Sequence, residues 1–336
     1  MAASGPLEAG LRSGLRPLAL RFSPGWLVVG LVLLALLVLP FLDVPVYYLR
    51  FLGSVFLYIT LAQSWNIIGG YTGYVSFGHV TFFGLGAYVS AILFRDLHLP
   101  PYVAAVPAGA LAAAFGVLVG YPTLRLRGPY FGIATLALSL VVTLVIANVP
   151  FTGAGEGIVL RDGLPLRRLA LDQAFYFSYL LVALLVTGTV VWLERSRLGY
   201  GLRAIRDDED AARSLGVNAT RLKLIAFGLA SFFPGVVGAL YAHQAAFVSP
   251  TDMFPLAISF KALIYAVVGG ASTVLGPVLG AAFMEVVNTS LTTSALGRLQ
   301  LDRIVFGLIL VAVVLASPGG LLGLGRRVWH ARRRGS

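Results

Sequence analysis

The sequence contains no cysteine and few charged residues in a chain of 336 residues. The absence of cysteine excludes disulfide scaffolds, thiolate metal sites and cysteine nucleophiles. Charged residues make up 12% of the chain and hydrophobic residues 58%, whereas soluble domains have about 25% and about 45–50% respectively. So few polar side chains could not cover the surface of a soluble protein of this length. The composition therefore predicts a polytopic membrane protein.

Acidic residues are the scarcer charged class, with 14 Asp and Glu against 25 Lys and Arg, and only Lys223 and Lys261 are lysines. The basic residues punctuate apolar runs instead of forming one basic face, which argues against nucleic acid as a partner. Basic residues accumulate in cytoplasmic loops. If the spans alternate, one side receives both tails, Arg125, Arg127 and the loop at 194–221. We expect that side to be cytoplasmic.

Ten apolar runs approach the length of about 20 residues that a transmembrane helix requires. We expect an all-α fold with about ten spans, within a range of 8–10, and broken glycine-rich segments. The expected domains are a tail at 1–25, a transmembrane domain at 26–317 and a basic tail at 318–336. The runs at 257–270 and 275–292 can also be read as a single broken unit. The runs lie at 26–42, 46–68, 80–94, 102–120, 130–148, 174–193, 222–245, 257–270, 275–292 and 303–317.

Two glycine-rich stretches, 69–79 and 269–277, interrupt the apolar pattern. Irregular backbone at membrane depth is tolerated only where it is buried in protein or lines a watery cavity. Paired breaks of this kind indicate a transport site where they meet. The alternative is a tight turn at the membrane surface. The candidate pathway residues are polar or small and come from the first break, the fifth run and the ninth run: Gly73, Ser76, Gly78, His79, Thr135, Ser139, Glu285 and Asn288.

Packing is the competing interpretation for these candidates, because small and weakly polar stripes also let helices approach closely. A lone buried histidine is likewise more often a packing residue than a proton carrier. Lys261 and Glu285 lie at similar depth if their helices flank the turn near Ser272. We therefore expect them to pair, with outward snorkelling of Lys261 as the alternative.

The longest polar stretch, 194–221, contains four consecutive acids at Asp207–Asp210. It predicts a short helix that starts near Arg203 and is ended by Gly216. The apolar positions of this helix form one edge, which suits a groove on a partner protein.

The same stretch resembles a known docking loop. Asp210-Ala211-Ala212, followed by Gly216, resembles the loop by which permeases of ATP-binding cassette importers dock onto their ATPases. Over about residues 55–325 the chain resembles the branched-chain amino-acid permease family, M-type subunit, although Pro129 stands where an acidic residue is usual. The matching motifs are Gly70-Tyr71-Thr72-Gly73, Ser76-Phe77-Gly78-His79, Phe82 to Tyr88, Arg125 to Phe131, Arg203 to Arg206, Lys223 to Phe227, Gly238 to Ala242, Ser249-Pro250, Gly276 to Gly280 and Pro318 to Gly323.

The resemblance implies an importer subunit in the inner membrane of a bacterium or archaeon. The implied partners are a homologous second permease, two cytoplasmic ATPases, a periplasmic or lipid-anchored amino-acid-binding protein, and membrane lipid. The loop at 151–172 would face the binding protein, and 194–221 would transmit ATPase closure. The implied coupling residues are Arg203, Asp207, Asp208, Glu209, Ala211, Ala212 and Gly216.

Enzyme activity is not expected. A Walker A loop requires lysine after glycine, and neither lysine follows one, so ATP hydrolysis would belong to partner subunits. Ser76 and His243 suggest an intramembrane serine protease only weakly, and the four histidines lack metalloprotease spacing. No cofactor or metal is expected. Import of urea or short amides on the same scaffold, or action as a stand-alone secondary transporter, are the alternatives left open.

Overall fold

The computed structural model describes residues 24–42, 44–160 and 168–293, with 307–308, 320–321 and 323. The predicted span at 303–317 and both predicted tails lie outside the described residues, apart from 24–25, 307–308, 320–321 and 323.

The described chain is almost entirely helical, which confirms the all-α prediction. Its two short strands, β1 (Ile158–Val159) and β2 (Phe247–Val248), pair antiparallel. A π-helical turn, Asn66–Gly70, extends α2. The helices are α1 (Pro24–Val38), α2 (Val46–Trp65), α3 (His79–Leu97), α4 (Pro101–Thr123), α5 (Pro129–Asn148), α6 (Arg168–Arg195), α7 (Arg197–Asp207), α8 (Glu209–Ser214), α9 (Ala219–Ala245), α10 (Pro250–Met253), α11 (Ala257–Gly269) and α12 (Leu275–Thr293).

Seven helical stretches of the described residues are long and apolar enough to cross a membrane. Helices α1 and α12 coincide with predicted runs but are not among the seven, so the count of ten stays a prediction. Helix α1 belongs to a unit that ends at Val44, and the second unit starts at Pro45. The seven stretches are Val46–Gly70, His79–Leu97, Pro101–Thr123, Pro129–Asn148, Ala170–Arg195, Ala219–Ala245 and Pro250–Gly269.

Helix α9 packs closely against α3 and α4 because glycines stand at the crossing points. A Cβ atom on Gly86 of α3 would overlap the carbonyl oxygen of Gly235, and one on Gly238 would overlap that of Phe83. On α4, a Cβ atom on Gly116 would overlap the hydroxyl of Ser231. Small residues at such positions allow backbones to approach closely in membranes. Glycine therefore fixes the spacing of the three central helices.

The small stripe on α5 packs against the segment that leads into α3. The hydroxyl of Thr135 accepts a 3.1 Å hydrogen bond from the Phe77 amide. The hydroxyl of Ser139 accepts a 2.8 Å bond from that of Thr81. In this structure both side chains therefore stabilise the helix interface, as the packing interpretation of the stripe requires.

Candidate functional site

The polar stretch after α6 forms two helices, so the prediction of a single helix starting near Arg203 was wrong. Helix α7 begins six residues earlier, and the chain breaks at Asp208, whose φ of −158° and ψ of 111° are extended. The Asp208 carboxylate accepts 2.9 Å hydrogen bonds from the amides of Asp210 and Ala211. An aspartate in this position caps the free amides at the start of a helix. The predicted end at Gly216 is confirmed by its φ of +87° directly after α8.

A buried charged cluster attaches α8 to the bundle. The Lys223 ammonium lies 2.9 Å from the Glu209 carboxylate, and the two side chains are 2% and 9% exposed. The same ammonium donates to the Tyr74 hydroxyl and the Leu124 carbonyl, both at 2.9 Å. Its three N–H groups thus each have an acceptor. Tyr74 in turn donates a 2.6 Å bond to Glu209, which closes the network.

This network decides the charge state of Glu209. Burial opposes ionisation of the carboxyl, but hydrogen bonds from Tyr74 and Lys223 and the positive charge of Lys223 outweigh that effect. The pKa of Glu209 therefore lies below its ordinary value of 4.5. The carboxylate is charged at neutral pH and the pair is a true ion pair.

A second ion pair on α8 is exposed. Arg127 forms two parallel hydrogen bonds of 2.8 and 2.7 Å with the Asp210 carboxylate, and the hydrogen bonds from Arg127 lower the pKa of that carboxyl. The side chains are 54% and 68% exposed. Exposed pairs contribute about 0–1 kcal/mol, so the buried pair provides most of the attachment.

Helix α7 is attached at the end of α6. Arg203 donates a 2.6 Å hydrogen bond to the Glu194 carbonyl, and its guanidinium lies 5.0 Å from the Tyr200 ring centroid. Leu202 and Ile205 are buried beneath it. The helix therefore presents an apolar face to the bundle and a polar face outward.

The predicted coupling residues thus separate into two groups. Arg203, Asp208, Glu209 and Ala212 hold the helices in place. The outward group consists of exposed residues: Asp207, Ala211 and Gly216, joined by Leu215, whose side chain is 85% exposed.

The two glycine-rich breaks lie in direct contact beside this helix pair. The Asn66 side chain donates a 2.9 Å bond to the Thr273 carbonyl and accepts a 2.8 Å bond from the Ser272 amide. Gln63 donates a 2.7 Å bond to the Val274 carbonyl. The side-chain amides of Gln63 and Asn66, at the end of α2 and in the π-helical turn that follows it, therefore connect this region to the second break.

Five of the candidate pathway residues come together where α5 meets the start of α3. Gly78 and Ser76 lie beside Thr135 and each other, and Ser139 bonds to the first turn of α3. His79 is fully buried, and neither ring nitrogen has a hydrogen-bond partner of good geometry, although the Ser64 backbone lies beside the ring. Gly73 is exposed in the adjacent turn, with a φ of +76°.

Glu285 and Asn288 lie elsewhere, on α12. Glu285 is buried and accepts a 2.9 Å hydrogen bond from the Tyr265 hydroxyl. The Lys261 ammonium lies 5.0 Å from the Tyr58 ring centroid, and no ion pair within 4.0 Å joins it to Glu285 in the described chain. The predicted pair therefore does not make a direct contact, and the two charges interact only at longer range, because equal depth does not fix the direction in which a side chain leaves its helix.

The protease alternative also lacks its geometry. The Ser76 hydroxyl accepts a hydrogen bond from the Gly78 amide. His243 lies instead 2.9 Å from the hydroxyl of Ser90. The two residues that a serine–histidine pair would need are engaged separately.

Arg50, on α2, donates two hydrogen bonds to the Asp172 carboxylate, at 2.9 and 3.1 Å. The pair lines a cavity of about 290 Å³ together with Phe175 and Gln244. An isolated arginine within an apolar run was the feature of the sequence that could have predicted an acidic partner.

Long apolar helices with glycine crossings define a polytopic membrane protein, and a charged helix pair is attached to one end of it. The family described as the permease component of branched-chain amino acid transport systems matches residues 47–314. The chain belongs to this family and is a multi-pass protein of the plasma membrane.

Several named permeases are similar to the chain. The high-affinity branched-chain amino acid transport system permease protein LivM of Escherichia coli (strain K12) is 32% identical over 296 residues, which is 80% of this chain and 68% of the relative. The permease protein LivH, of the same organism and with the same transport system in its name, is 24% identical over 301 residues, which is 82% of this chain and 96% of the relative. The autoinducer 2 import system permease protein LsrC of Klebsiella pneumoniae subsp. pneumoniae is 33% identical over 220 residues, covering 62% and 59%. No solved structure matches the chain significantly.

Proposed function

We propose that this chain forms the translocation pathway of an ATP-binding cassette importer for leucine, isoleucine and valine. The observation that carries the proposal is the match over residues 47–314 to the branched-chain permease family. Similarity to LivM supports the M-type role. The chain itself hydrolyses no ATP and has no other enzyme activity.

The proposed assembly contains a second, homologous permease, two cytoplasmic ATPases and an amino-acid-binding protein on the outer side. Both LivM and LivH of one organism resemble the chain, which supports pairing with a related permease. The outer face of α5 offers apolar side chains to lipid or to that partner, since Ile133 and Leu144 are 64% and 63% exposed.

The ATPases would dock on the outward face of α7 and α8. Leu215, Ala211 and Gly216 provide an apolar edge, and Asp207 provides charge beside it. Since Lys223 ties α8 to the start of α9, a displacement of this edge passes directly to a central helix of the bundle. This is one route by which ATPase closure would reach the membrane.

The pathway would run beside the start of α3. The buried imidazole of His79, without a well-formed hydrogen bond, supports this position because a passing polar group could bond to it. His79→Ala should raise the KM for uptake while the ATPase rate stays unchanged. His98→Ala, at an exposed histidine after α3, is the control; equal KM values for the two variants would contradict this placement.

The proposed topology places both termini and the loop at 194–221 in the cytoplasm, with ten spans. The native chain has no cysteine, so single cysteines report sidedness directly. We expect Gly155→Cys, at an exposed open position, to react with an impermeant maleimide on intact cells. Thr220→Cys, at an exposed position of the 194–221 loop outside the proposed docking edge, should react only after permeabilisation. The reverse pattern would show that the topology is inverted.

Substrate identity is tested by uptake in proteoliposomes with the full assembly. Excess leucine, isoleucine or valine should each block uptake of labelled leucine, while urea and acetamide should not. If urea or acetamide blocks uptake and the three amino acids do not, the transported substrates are amides. LsrC is named for autoinducer 2 import, so the same assay should include that compound, and we expect no competition from it.

A further inference from the structure

The side chain of Arg206, on the last turn of α7, reaches both glycine-rich breaks at once. Its guanidinium donates a 3.0 Å hydrogen bond to the Gly70 carbonyl at the end of α2. It also bonds to the Ser272 hydroxyl in the turn between α11 and α12. The Ser272 hydroxyl in turn donates a 2.8 Å bond to the Gly70 carbonyl. One charged group thus connects the helix pair to two separate membrane segments.

Resting on the proposed coupling function, we propose that Arg206 is a positioning residue for transport. It holds the two breaks together in this conformation and releases them when the ATPases displace α7. Outward-facing Leu215 and Asp207 would receive the ATPase movement, and Arg206 would transmit it to the ends of α2 and α11. Buried Lys223 transmits the same movement to α9 by a separate route.

The backbone around the Arg206 contacts is conformationally strained or irregular on both sides. The end of α2 is a π-helical turn, Asn66–Gly70, a form that occurs mostly as single turns at functional sites. Ser272 has a φ of +69°, which is costly for a residue with a side chain and persists only when surrounding contacts enforce it. Arg206 and Asn66 supply those contacts. Removing them therefore favours a relaxed, separated arrangement.

Glycine at position 70 allows the close approach. A Cβ atom there would overlap the Asn66 side-chain oxygen and lie 2.8 Å from the Ser272 amide nitrogen. A side chain at this position would therefore push the two breaks apart.

The experiment compares four variants of the full complex in nanodiscs: Arg206→Gln, Arg206→Lys, Ser272→Ala and the control Arg197→Gln, at an exposed arginine on the same helix. Hydrogen exchange of the amides at 270–274 is measured without nucleotide or amino acid. Arg206→Gln should raise their exchange rate about tenfold, the scale of losing hydrogen bonds from a charged donor. Arg206→Lys should restore part of the protection, and Arg197→Gln should match the native chain.

Transport is then measured in proteoliposomes as amino acid imported per ATP hydrolysed. Arg206→Gln should lower this ratio about tenfold while the ATPase rate stays near native, because movement no longer reaches the breaks. Unchanged exchange at 270–274, or uptake and ATPase rate falling in equal proportion, would overturn the proposal. The exchange experiment needs no substrate, so it decides the role of Arg206 even if the transported compound is not a branched-chain amino acid.

Discussion

Lys223 of α9 and Glu209 of α8 form a 2.9 Å ion pair that is almost completely shielded from solvent. Fourteen residues separate them along the chain, and the pair closes the intervening segment onto the bundle. Breaking a buried pair is costly because the remaining charge loses its partner, although Glu209 keeps a 2.6 Å contact with Arg213 of its own helix. Helices α8 and α9 are therefore expected to move as one body.

The first prediction concerns Lys223→Met. This change should weaken the attachment of α8 by about 1.5–3 kcal/mol, the scale of losing a hydrogen bond to a charged group, because Arg213 still pairs with the Glu209 carboxylate. The weakening should appear as faster hydrogen exchange of the amides at 209–215. Arg127→Met, at the exposed pair with Asp210, should cost about 0–1 kcal/mol. Equal effects of the two variants would show that burial does not determine the strength of the attachment.

The second prediction is a pH dependence. The pKa of Glu209 is lowered relative to its ordinary value of 4.5. The ionised carboxylate therefore stabilises the attachment of α8 fully at pH values above 4.5. This stabilisation is lost as the pH falls through the lowered pKa. Protection of the amides at 209–215, corrected for intrinsic exchange rates, should stay constant from neutral pH down to 4.5 and fall below it. Glu209→Gln should remove most of the transition and leave the smaller part that the Asp210 pair with Arg127 contributes. A loss of protection near neutral pH in the native chain would contradict the assignment.

The third prediction tests the outward edge. Leu215→Asp should abolish ATPase association in pull-down from detergent, since it places a charge where an apolar contact is expected. The helix should remain folded because Leu215 is 85% exposed. Leu215→Met keeps the apolar character and should bind normally. If Leu215→Asp binds as well as Leu215→Met, the ATPases dock elsewhere.

The fourth prediction concerns the glycine crossings. Gly86→Ala should lower the melting temperature of the complex, because its Cβ would overlap the Gly235 carbonyl and overpacking costs about 1–3 kcal/mol. Gly188→Ala on α6 has open space around the added atom and should leave the melting temperature unchanged or slightly raised. A similar loss in both variants would contradict the packing explanation, since alanine favours a helix more than glycine does and only Gly86 has no room for a Cβ atom.

The helices of the bundle could be predicted because hydrophobic runs of this length have few other stable states in a membrane. The glycine-rich breaks were also visible, since glycine pairs beside polar residues interrupt the pattern at 69–79 and 269–277. The breaks contact each other through Asn66 and Thr273, which lie 207 positions apart in the chain. No local pattern determines such a contact.

The helix pair shows which signals were missed. Asp208 could have been recognised as a helix cap because it precedes two residues whose amides it satisfies, but the run of four acids resembled one charged face. Lys223 was conspicuous as one of two lysines, yet its partner Glu209 lies on another helix. The error on Lys261 and Glu285 has the same origin, since the sequence gives depth more readily than rotation about the helix axis.

The importer function is tested most directly by comparing uptake of leucine, isoleucine and valine in three kinds of proteoliposome. These contain the chain alone, the chain with its second permease and ATPases, and the same assembly carrying an ATPase variant that cannot hydrolyse ATP. With binding protein and ATP supplied, we expect uptake only in the complete active assembly. Uptake by the chain alone, or uptake that persists without ATP hydrolysis, would contradict the importer function.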